Sequence, residues 1–348
     1  MIKLDRRFLV QGLGAVAGLA PLAARAPALA QQPQDYREYF KDKTIRLLVG
    51  SPPGGGYDLY TRMIAPYLAK RLGCLVVVEN RAGGGGLLAL SYMLTRPADG
   101  LTLMLASAEA ATLSQLLQRE GANWDVGKLQ WLARVGSSPK IWFVGRNGKY
   151  KDFDALKNAS QVAWAATGKA DNISDVASVI SYITGLRSKM IVGYRGAGDM
   201  TLAVMKGEAD SGVLSADSAL PNIRNGELIP IATFDSKRWG PTPEVPTIYE
   251  VSKVDPAKRW ISDIRQQIGE AQRALVAAPE TPPAMVEYLR QVSQDVLTDP
   301  VLLEEGRKTN RELDFQSGTD LQKQLLDAMK ITASQRDDMK KIMLEMYF

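Results

Sequence analysis

The stretch VGSPPGGGYD, residues 49–58, sets three glycines after two prolines, between an apolar run and an amphipathic one. Glycine has no Cβ, so peptide N–H groups can approach a ligand closely, and a helix N-terminus adds unsatisfied donors and a partial positive charge. This combination favours a carboxylate or a phosphate as the ligand. A nucleotide-hydrolysing phosphate loop also needs Gly-Lys-Ser/Thr at the helix start, whereas Tyr57 and Asp58 follow the glycines here, which argues against that class. We expect Asp58 to cap the helix.

Strands and helices are predicted to alternate around this stretch. Apolar runs indicate strands at residues 44–50, 75–78 and 101–106, and helical periodicity indicates helices at 58–72 and 87–95. Short strands that alternate with helices predict a parallel sheet, whose ligands lie beyond the carboxyl ends of the strands, where the helices begin. The glycines of the quoted stretch lie at such an end.

Three loops are expected along this edge of the sheet, at residues 51–57, 80–86 and 107–110, and the first two are rich in glycine. A single glycine loop would be interpreted most simply as a tight turn. Two glycine loops on the same edge favour a binding site.

The N-terminal segment has the three parts of an export signal. Basic residues come first, residues 8–24 carry no charge, and small residues at 28–30 precede Gln31, where we expect cleavage. Arg6 and Arg7 leave both the general secretory route and the twin-arginine route open. The predicted location is therefore the periplasm, and the alternative is a retained membrane anchor. The full chain of 348 residues is 45% hydrophobic and long enough for two α/β domains.

Composition excludes several classes of function. The chain has no histidine, which rules out Ser-His-Asp and Cys-His catalysis and histidine-ligated zinc. Cys74 is the single cysteine, so no intramolecular disulfide can form, and its apolar context predicts a core residue. The acidic pairs at 152 and 154 and at 337 and 338 are predicted to be solvated surface. No basic cluster with aromatic residues indicates a nucleic-acid face, and no cofactor or metal is expected.

The order of the motifs TIRLLVGSPPGGGYD, VVVENRAGGGG and RPADGLTLMLAS resembles the periplasmic substrate-binding proteins of tripartite tricarboxylate transporters, the Bug-type receptors. Farther along, IVGYRGAGDM at 191–200 is similar to the family's strand and Tyr-Lys-Gly turn. The segment MKGEAD at 205–210 resembles the family's Gly-Gln-Val-Asp segment, and PTPEVPTIYE at 241–250 its Pro-Val-Pro-Thr and Glu stretch. The resemblance runs from about Lys43 to the C-terminus.

The resemblance implies a fold of the type II periplasmic-binding-protein kind, in which two α/β lobes, each a mainly parallel sheet flanked by helices, close on a ligand. The chain would cross twice between the lobes, near residues 134–138 and 239–243. The implied domains are the signal at 1–30, the first part of lobe 1 at 31–134, lobe 2 at 135–239, and the return of lobe 1 with the C-terminal helices at 240–348.

The resemblance also implies a set of ligand-binding residues, contributed by loops of both lobes. By position these are Pro53, Gly54, Gly55, Gly56, Tyr57, Gly84, Gly85, Gly86, Ser107, Thr167, Gly168, Asn172, Tyr194, Arg195 and Asp217. Tyr57 stands where the family commonly has a small hydroxyl residue, and Glu109 places an acid near the third loop. Arg195 or Lys169 would pair with a ligand carboxylate, or else be a solvated surface cation.

The function implied is that of an extracytoplasmic receptor, which captures a small organic acid in the inter-lobe cleft and presents it to the membrane subunits of a tripartite transporter. We expect a monomer. One alternative is an enzyme that uses carboxylates in the same cleft. Another is a ligand sensor or scavenger of the same fold that works without a transporter. The identity of the ligand does not follow from the sequence.

Overall fold

The computed structural model describes residues 35–169 and 172–348. Residues Tyr36–Phe348 form one compact unit. The export signal predicted at residues 1–30 lies outside the described residues. Within the described part, no helix combines the length and the apolar character needed to span a membrane.

The N-terminal elements alternate strands and helices, as the sequence predicts. They are α1 (Tyr36–Phe40), β1 (Thr44–Val49), α2 (Gly56–Leu72), β2 (Leu75–Asn80), α3 (Leu87–Met93), β3 (Thr102–Ser107), α4 (Ala108–Leu116) and β4 (Gln130–Gly136). The middle of the chain continues the alternation. It contains β5 (Lys140–Gly145), α5 (Phe153–Lys157), β6 (Val162–Ala165), α6 (Ser174–Thr184), β7 (Ser188–Ile191), α7 (Ala197–Lys206), β8 (Ser211–Ser215), α8 (Ala216–Arg224) and β9 (Leu228–Phe234).

Helices dominate the last third of the chain. Its elements are α9 (Ile248–Val251), α10 (Pro256–Gly269), β10 (Arg273–Ala277), α11 (Pro283–Leu297), α12 (Pro300–Lys308), β11 (Gln316–Ser317), α13 (Gly318–Ala328) and α14 (Ala333–Lys340), followed by a π-helical turn at Lys341–Glu345. Several of these helices begin with proline, whose fixed φ and missing N–H suit the first helical turn.

The first sheet has six strands in the order β11-β4-β10-β3-β1-β2, and with its helices it forms the first lobe. Strand β1 pairs in parallel with β2 and β3, so the carboxyl ends of these three strands meet at one edge. Leu47 packs into the core with α2 and α11, whereas Leu48 packs into the core with α3 and α4. Successive side chains of a strand point to opposite faces, so β1 is buried on both sides.

The second sheet has five strands in the order β7-β6-β8-β5-β9, and it forms the second lobe. Strand β6 pairs in parallel with β7 and β8, and β5 pairs antiparallel with β8 and β9. The predicted two-lobed α/β fold is therefore confirmed. Both sheets are mixed, because β5 and β10, the first strands after each crossing, run antiparallel to both of their neighbours.

Two links join the sheets of the two lobes within the described residues, and the chain passes between the lobes again after α13. The first lies between β4 and β5, close to the predicted crossing at residues 134–138. The second lies later than the sequence predicts, because Ile261 and Ile268 of α10 pack into the core of the second lobe. The chain rejoins the first sheet only at Arg273. The C-terminal turn also packs on α6, and Met190 N–H donates to the Tyr347 carbonyl at 2.8 Å. An amphipathic pattern predicts a buried face but does not tell which lobe covers it.

Candidate functional site

A cleft of about 770 Å³ lies between loops of the two lobes. Twelve of the fifteen residues predicted to bind the ligand line it: Gly55, Gly56, Tyr57, Gly84, Gly85, Gly86, Ser107, Thr167, Gly168, Asn172, Tyr194 and Arg195. Pro53, Gly54 and Asp217 do not belong to this lining. The topology explains the convergence, because the β1, β2 and β3 loops share an edge and face the loops that follow β6, β7 and β8.

The first loop is held in shape by the buried carboxylate of Asp58. One of its oxygens accepts the N–H of Gly54 at 2.8 Å and the Nε–H of Arg62 at 2.9 Å, and the other accepts Nδ2–H of Asn80 at 2.7 Å. The Asp58 N–H in turn donates to Ser51 Oγ at 3.1 Å. Burial alone raises the pKa of Asp58, but these donors outweigh it and hold that pKa below its usual value.

The helix α2 begins differently from the prediction. Gly55 occupies the N-cap position without a side-chain cap, and Asp58, predicted as the cap, is the third helical residue. Its carboxylate reaches back to Gly54 because the chain turns sharply over the glycines. The Gly55 N–H is also occupied, by a carbonyl of the same loop at 3.0 Å. Among the described residues, the N–H groups of Gly56 and Tyr57 have no acceptor, and both residues line the cleft.

The second loop consists of four glycines with positive φ, Gly83–Gly86, at 142°, 56°, 66° and 94°. This region is strained for L side chains, so the sequence GGGG is what permits the turn. A Cβ on Gly50 would lie 2.3 Å from Gly86 Cα, so the first and second loops touch backbone to backbone. In the described chain the N–H groups of Gly84 and Gly85 have no acceptor. Successive N–H groups in such turns form an anion-binding concavity.

Ser107 of the third loop and Tyr57 of the first loop both line the cleft. Ser107 caps α4, since its Oγ accepts the N–H of Ala110 at 3.1 Å. The Tyr57 hydroxyl donates to the Gln272 carbonyl at 3.3 Å, which ties the start of α2 to the residue before β10. Burial raises the pKa of Tyr57, although the guanidinium of Arg273 opposes the rise. The phenol therefore stays neutral in the physiological range and offers a ring face, not a charge.

The loops of the second lobe line the opposite wall. Gly168 accepts the hydroxyl of Ser174 at 2.6 Å, which ties this loop to the start of α6. The Arg195 guanidinium pairs with Asp199 at 2.7 Å, and its side chain is 88% exposed. Lys169 is exposed and lines the cleft, with its Nζ 5.4 Å from the ring centre of Phe348. The two cations that the sequence nominated thus differ, because Arg195 already has a carboxylate partner, Asp199, in the first turn of the helix that follows it.

Arg273 is a cleft residue that the sequence interpretation missed. It lines the cleft, its side chain is 1% exposed, and it pairs with Asp217 at 2.8 Å. The Asp217 carboxylate is therefore the ion-pair partner of Arg273, and it also accepts a hydrogen bond from the Tyr60 hydroxyl at 3.3 Å. Within the described residues, the buried Nε of Arg273 has no hydrogen-bond partner. The sequence does contain a sign of this role, because a charged residue stands at the start of the otherwise apolar strand RALVA, residues 273–277.

Behind the cleft lies a network of buried charges that joins the two lobes. Glu109 of α4 pairs with Lys140 of β5 at 3.1 Å and with Arg265 of α10, and Arg265 pairs with Asp175 of α6 at 3.0 Å. Asn172, at the cleft wall, donates its side-chain N–H to Glu109 at 3.1 Å. The acid that the sequence placed near the third loop is thus a structural anchor of the second-lobe loop.

Electrostatics keep this network ionised. Burial alone raises the pKa of Glu109. The nearby cations Lys140 and Arg265 lower that pKa by more than burial raises it, so the net shift is downward. Burial lowers the pKa of Lys140, and the nearby Glu109 carboxylate opposes that change. Glu109 therefore carries its negative charge at neutral pH.

The other residues that the sequence singled out are structural. Cys74 is buried, and burial raises the pKa of its thiol. Asp152 is exposed and caps α5, and Asp154, Asp337 and Asp338 are exposed as well. Across the described ranges, no group of three or more Cys, Asp and Glu side chains is placed to hold a metal ion.

A protein-family model described as the tripartite tricarboxylate transporter family receptor matches residues 60–335. The chain belongs to this receptor family. The resemblance inferred from the motif order is thereby confirmed. The family is one of receptors and not of enzymes, so the prediction of a receptor is confirmed as well. The cleft as its binding site stays a prediction.

Known proteins resemble the receptor in sequence and in fold. Protein BugT of Bordetella pertussis is 29% identical over 215 residues, and the match covers 60% of the receptor but only 66% of BugT. A Rhodopseudomonas palustris protein solved with adipate superposes with a TM-score of 0.71 at 20% identity, over 86% of the receptor and 97% of that chain. MatC of the same organism, solved with bound malate, superposes with a TM-score of 0.70 at 18% identity. That match covers 85% of the receptor and 98% of the MatC chain. At these identities the two structures support the fold alone.

Proposed function

We propose that the receptor is exported and binds a small organic acid through its carboxylate in the cleft between the lobes. The observation that carries the proposal is that two neighbouring loops at one edge of the first sheet both present to the cleft backbone N–H groups without an acceptor in the described chain. Gly56 and Tyr57 offer N–H groups at the start of α2, and Gly84 and Gly85 offer them from the adjacent turn. Charge-assisted hydrogen bonds from backbone N–H groups to a carboxylate are about twice as strong as neutral ones.

The second lobe completes the site in this proposal. Thr167, Asn172 and Tyr194 line the facing wall and would donate to the ligand as the lobes close. Closure would occur as a hinge motion about the segments that pass between the lobes. Scattering profiles of the free protein and of the protein saturated with ligand test this step. A smaller radius of gyration with ligand supports it, and identical profiles contradict it.

In this proposal the receptor delivers the ligand to the membrane subunits of a tripartite transporter, and family membership supports that role. We also propose that it works as a monomer in the periplasm. The adipate and malate in the two superposed structures are carboxylates, which favours this ligand class. Sequencing the N-terminus of the exported protein tests the location, and we expect a start at or near Gln31. Recovery of uncleaved protein in the membrane fraction would contradict it.

A thermal-shift screen tests the binding function directly. Each acid is compared with its neutral amide, so that only the carboxylate differs within a pair. At about a hundred times Kd a ligand adds roughly 2.7 kcal/mol of stability, which is readily measured. We expect acids to raise the melting temperature and the amides to leave it unchanged. Equal shifts within the pairs, or none with any acid, would overturn the proposal. Recovery of a bound acid unchanged after long incubation separates a receptor from an enzyme.

A further inference from the structure

Arg273 places a buried cation beside the first glycine loop. It is the first residue of β10, its side chain is 1% exposed, and it belongs to the lining of the cleft. A Cβ on Gly56 would lie 3.9 Å from a terminal nitrogen, Nη2, of its guanidinium. The N–H of Gly56 is one of the cleft donors that have no acceptor in the described chain. A positive charge and a free donor are therefore neighbours at the start of α2.

Aromatic rings surround part of this charge. The guanidinium carbon of Arg273 lies 4.3 Å from the ring centre of Tyr60 and 5.4 Å from that of Tyr57. A charge acts more strongly on its neighbours where rings and not water fill the space around it. Burial alone lowers the pKa of Arg273, but the Asp217 carboxylate and other neighbours outweigh burial, so the net shift is upward. The guanidinium therefore keeps its charge throughout the physiological range.

Asp217 balances this charge from a greater distance. Its carboxylate accepts Nη2–H of Arg273 at 2.8 Å, and the neutral side-chain oxygen of Gln272 accepts Nη1–H at 3.1 Å. The buried Nε of Arg273 has no hydrogen-bond partner among the described residues. Asp217 lies outside the cleft lining, and none of its atoms comes within 4 Å of a Cβ on Gly56. Arg273 is thus the nearer of the two charges to the Gly56 donor.

We propose that Arg273 determines the specificity of the receptor for ionised ligands, because it adds a buried positive charge to the N–H donors of the first loop, and that Asp217 limits this effect. A carboxylate that accepts the N–H of Gly56 is attracted by Arg273 and, more weakly, repelled by Asp217. Arg273 acts through its electric field, since its side chain is buried. The proposal rests on the proposed function, because it requires the ligand carboxylate at the glycine loops.

Calorimetric titration of the mature receptor with acetate, succinate, citrate and benzoate tests the proposal. Asp217→Asn removes the negative charge but keeps an oxygen that accepts hydrogen bonds, and we expect it to lower Kd by about fivefold or more. Arg273→Gln removes the positive charge and should raise Kd by about tenfold or more. A merely structural ion pair would lose affinity in both variants, so the opposite signs identify an electrostatic role.

Two results overturn this proposal alone. They are a weaker affinity in Asp217→Asn and an unchanged affinity in Arg273→Gln, each in a folded protein whose wild type binds at least one of the four acids. Failure of all four acids to bind to the folded wild type overturns the proposed function and this proposal together.

Three further variants complete the test. Arg273→Lys keeps the charge and should recover most of the affinity that Arg273→Gln loses, whereas no recovery contradicts the proposal. Asp314→Asn is the matched control with unchanged Kd expected, since Asp314 pairs with Arg134 at 2.5 Å and neither residue lines the cleft. If Arg273→Gln does not fold, the double variant Arg273→Gln/Asp217→Asn replaces it, because no buried charge is left without its partner. It should bind about tenfold or more weakly than Asp217→Asn, and equal affinities contradict the proposal.

Discussion

The carboxylate of Glu109 lies 3.1 Å from the ammonium nitrogen of Lys140, with 0% and 5% of the two side chains exposed. Glu109 belongs to the first lobe and Lys140 opens the first strand of the second, so this ion pair spans the first crossing of the chain. Buried ion pairs are stable only when further hydrogen bonds satisfy the charges. Arg265 and Asn172 provide those bonds, and Asn172 thereby links the pair to the cleft wall.

Removing the charge of Glu109 is predicted to destabilise the fold. Glu109→Gln leaves Lys140 and part of the Arg265 charge buried without their partner, and breaking such a pair costs about 3–5 kcal/mol of unfolding free energy. Chemical denaturation measures the loss. The matched control is Glu304→Gln, which breaks an exposed pair with Arg307 and should cost far less, because water screens that pair. A loss of similar size in both variants would contradict the structural role of Glu109.

The same carboxylate predicts a pH dependence of stability. The pKa of Glu109 in the folded protein lies below its ordinary value of 4.5, because Lys140 and Arg265 outweigh the effect of burial. Its contribution is therefore fully present above about pH 4.5 and is lost as the pH falls through the folded pKa. Denaturation from neutral pH to about pH 3 should show the gap between wild type and Glu109→Gln narrowing in acid. A gap that is constant or widens in acid would refute this assignment.

A side chain at Gly56 is predicted to block ligand binding. A Cβ there would lie 3.3 Å from Ser218 Oγ of the second lobe and 3.9 Å from a nitrogen of Arg273, so Gly56→Val adds bulk between the lobes. Because one or two donors are displaced, we expect affinity to fall by about tenfold to several hundredfold, with little change in melting temperature. Gly240→Val is the control, since a Cβ there meets nothing within 4 Å. Unchanged affinity in Gly56→Val would contradict the prediction.

Substitution of the neighbouring Gly55 should act differently. A Cβ on Gly55 would lie 3.0 Å from the Pro52 carbonyl and 3.3 Å from Ser51, within its own loop. Gly55→Val is therefore expected to lower the melting temperature as well as the affinity, because the turn itself must shift. Differential scanning calorimetry with titration of each variant separates the two glycines. A Gly55→Val protein with wild-type melting temperature and lost affinity would mean that its side chain meets the ligand and not the turn.

Arg195 is predicted to contribute little to binding. Its guanidinium pairs with Asp199 and its side chain is 88% exposed, so a ligand carboxylate would compete with an existing partner in water. Arg195→Ala should change Kd for the best acid found in the thermal screen by less than about fivefold. Lys169→Ala provides the comparison at the second nominated cation. A large loss in Arg195→Ala would show that the ligand displaces Asp199.

The location of the cleft was predictable because it depends on patterns that are local in sequence. A buried run followed by glycines and an amphipathic helix, repeated at 44–72 and 75–93, places two glycine loops at one sheet edge whatever the rest of the chain does. The parallel pairing of β1 with β2 then brings the loops together. The identity of the free donors was not predictable, because it depends on Asp58 folding back to Gly54 and Asn80.

The buried charges were hidden for a different reason. Glu109, Lys140 and Arg265 lie far apart in sequence, and no periodicity relates them, so only the packing of α10 between the lobes brings them into contact. The late return of the chain at Arg273 has the same origin, since an apolar helix face does not specify which lobe covers it. The local sign of this burial was Arg273, a charged residue at the start of an apolar strand.

The most direct test of the carboxylate site is a titration followed by amide ¹H–¹⁵N NMR, with the acid that raises the melting temperature most. The account predicts that the amide protons of Gly56, Tyr57, Gly84 and Gly85 move strongly downfield, because each gains a charged acceptor. The Gly54 amide should move little, since its N–H stays bonded to Asp58. Saturating binding that leaves those four amides in place, with the large shifts elsewhere, would contradict the account.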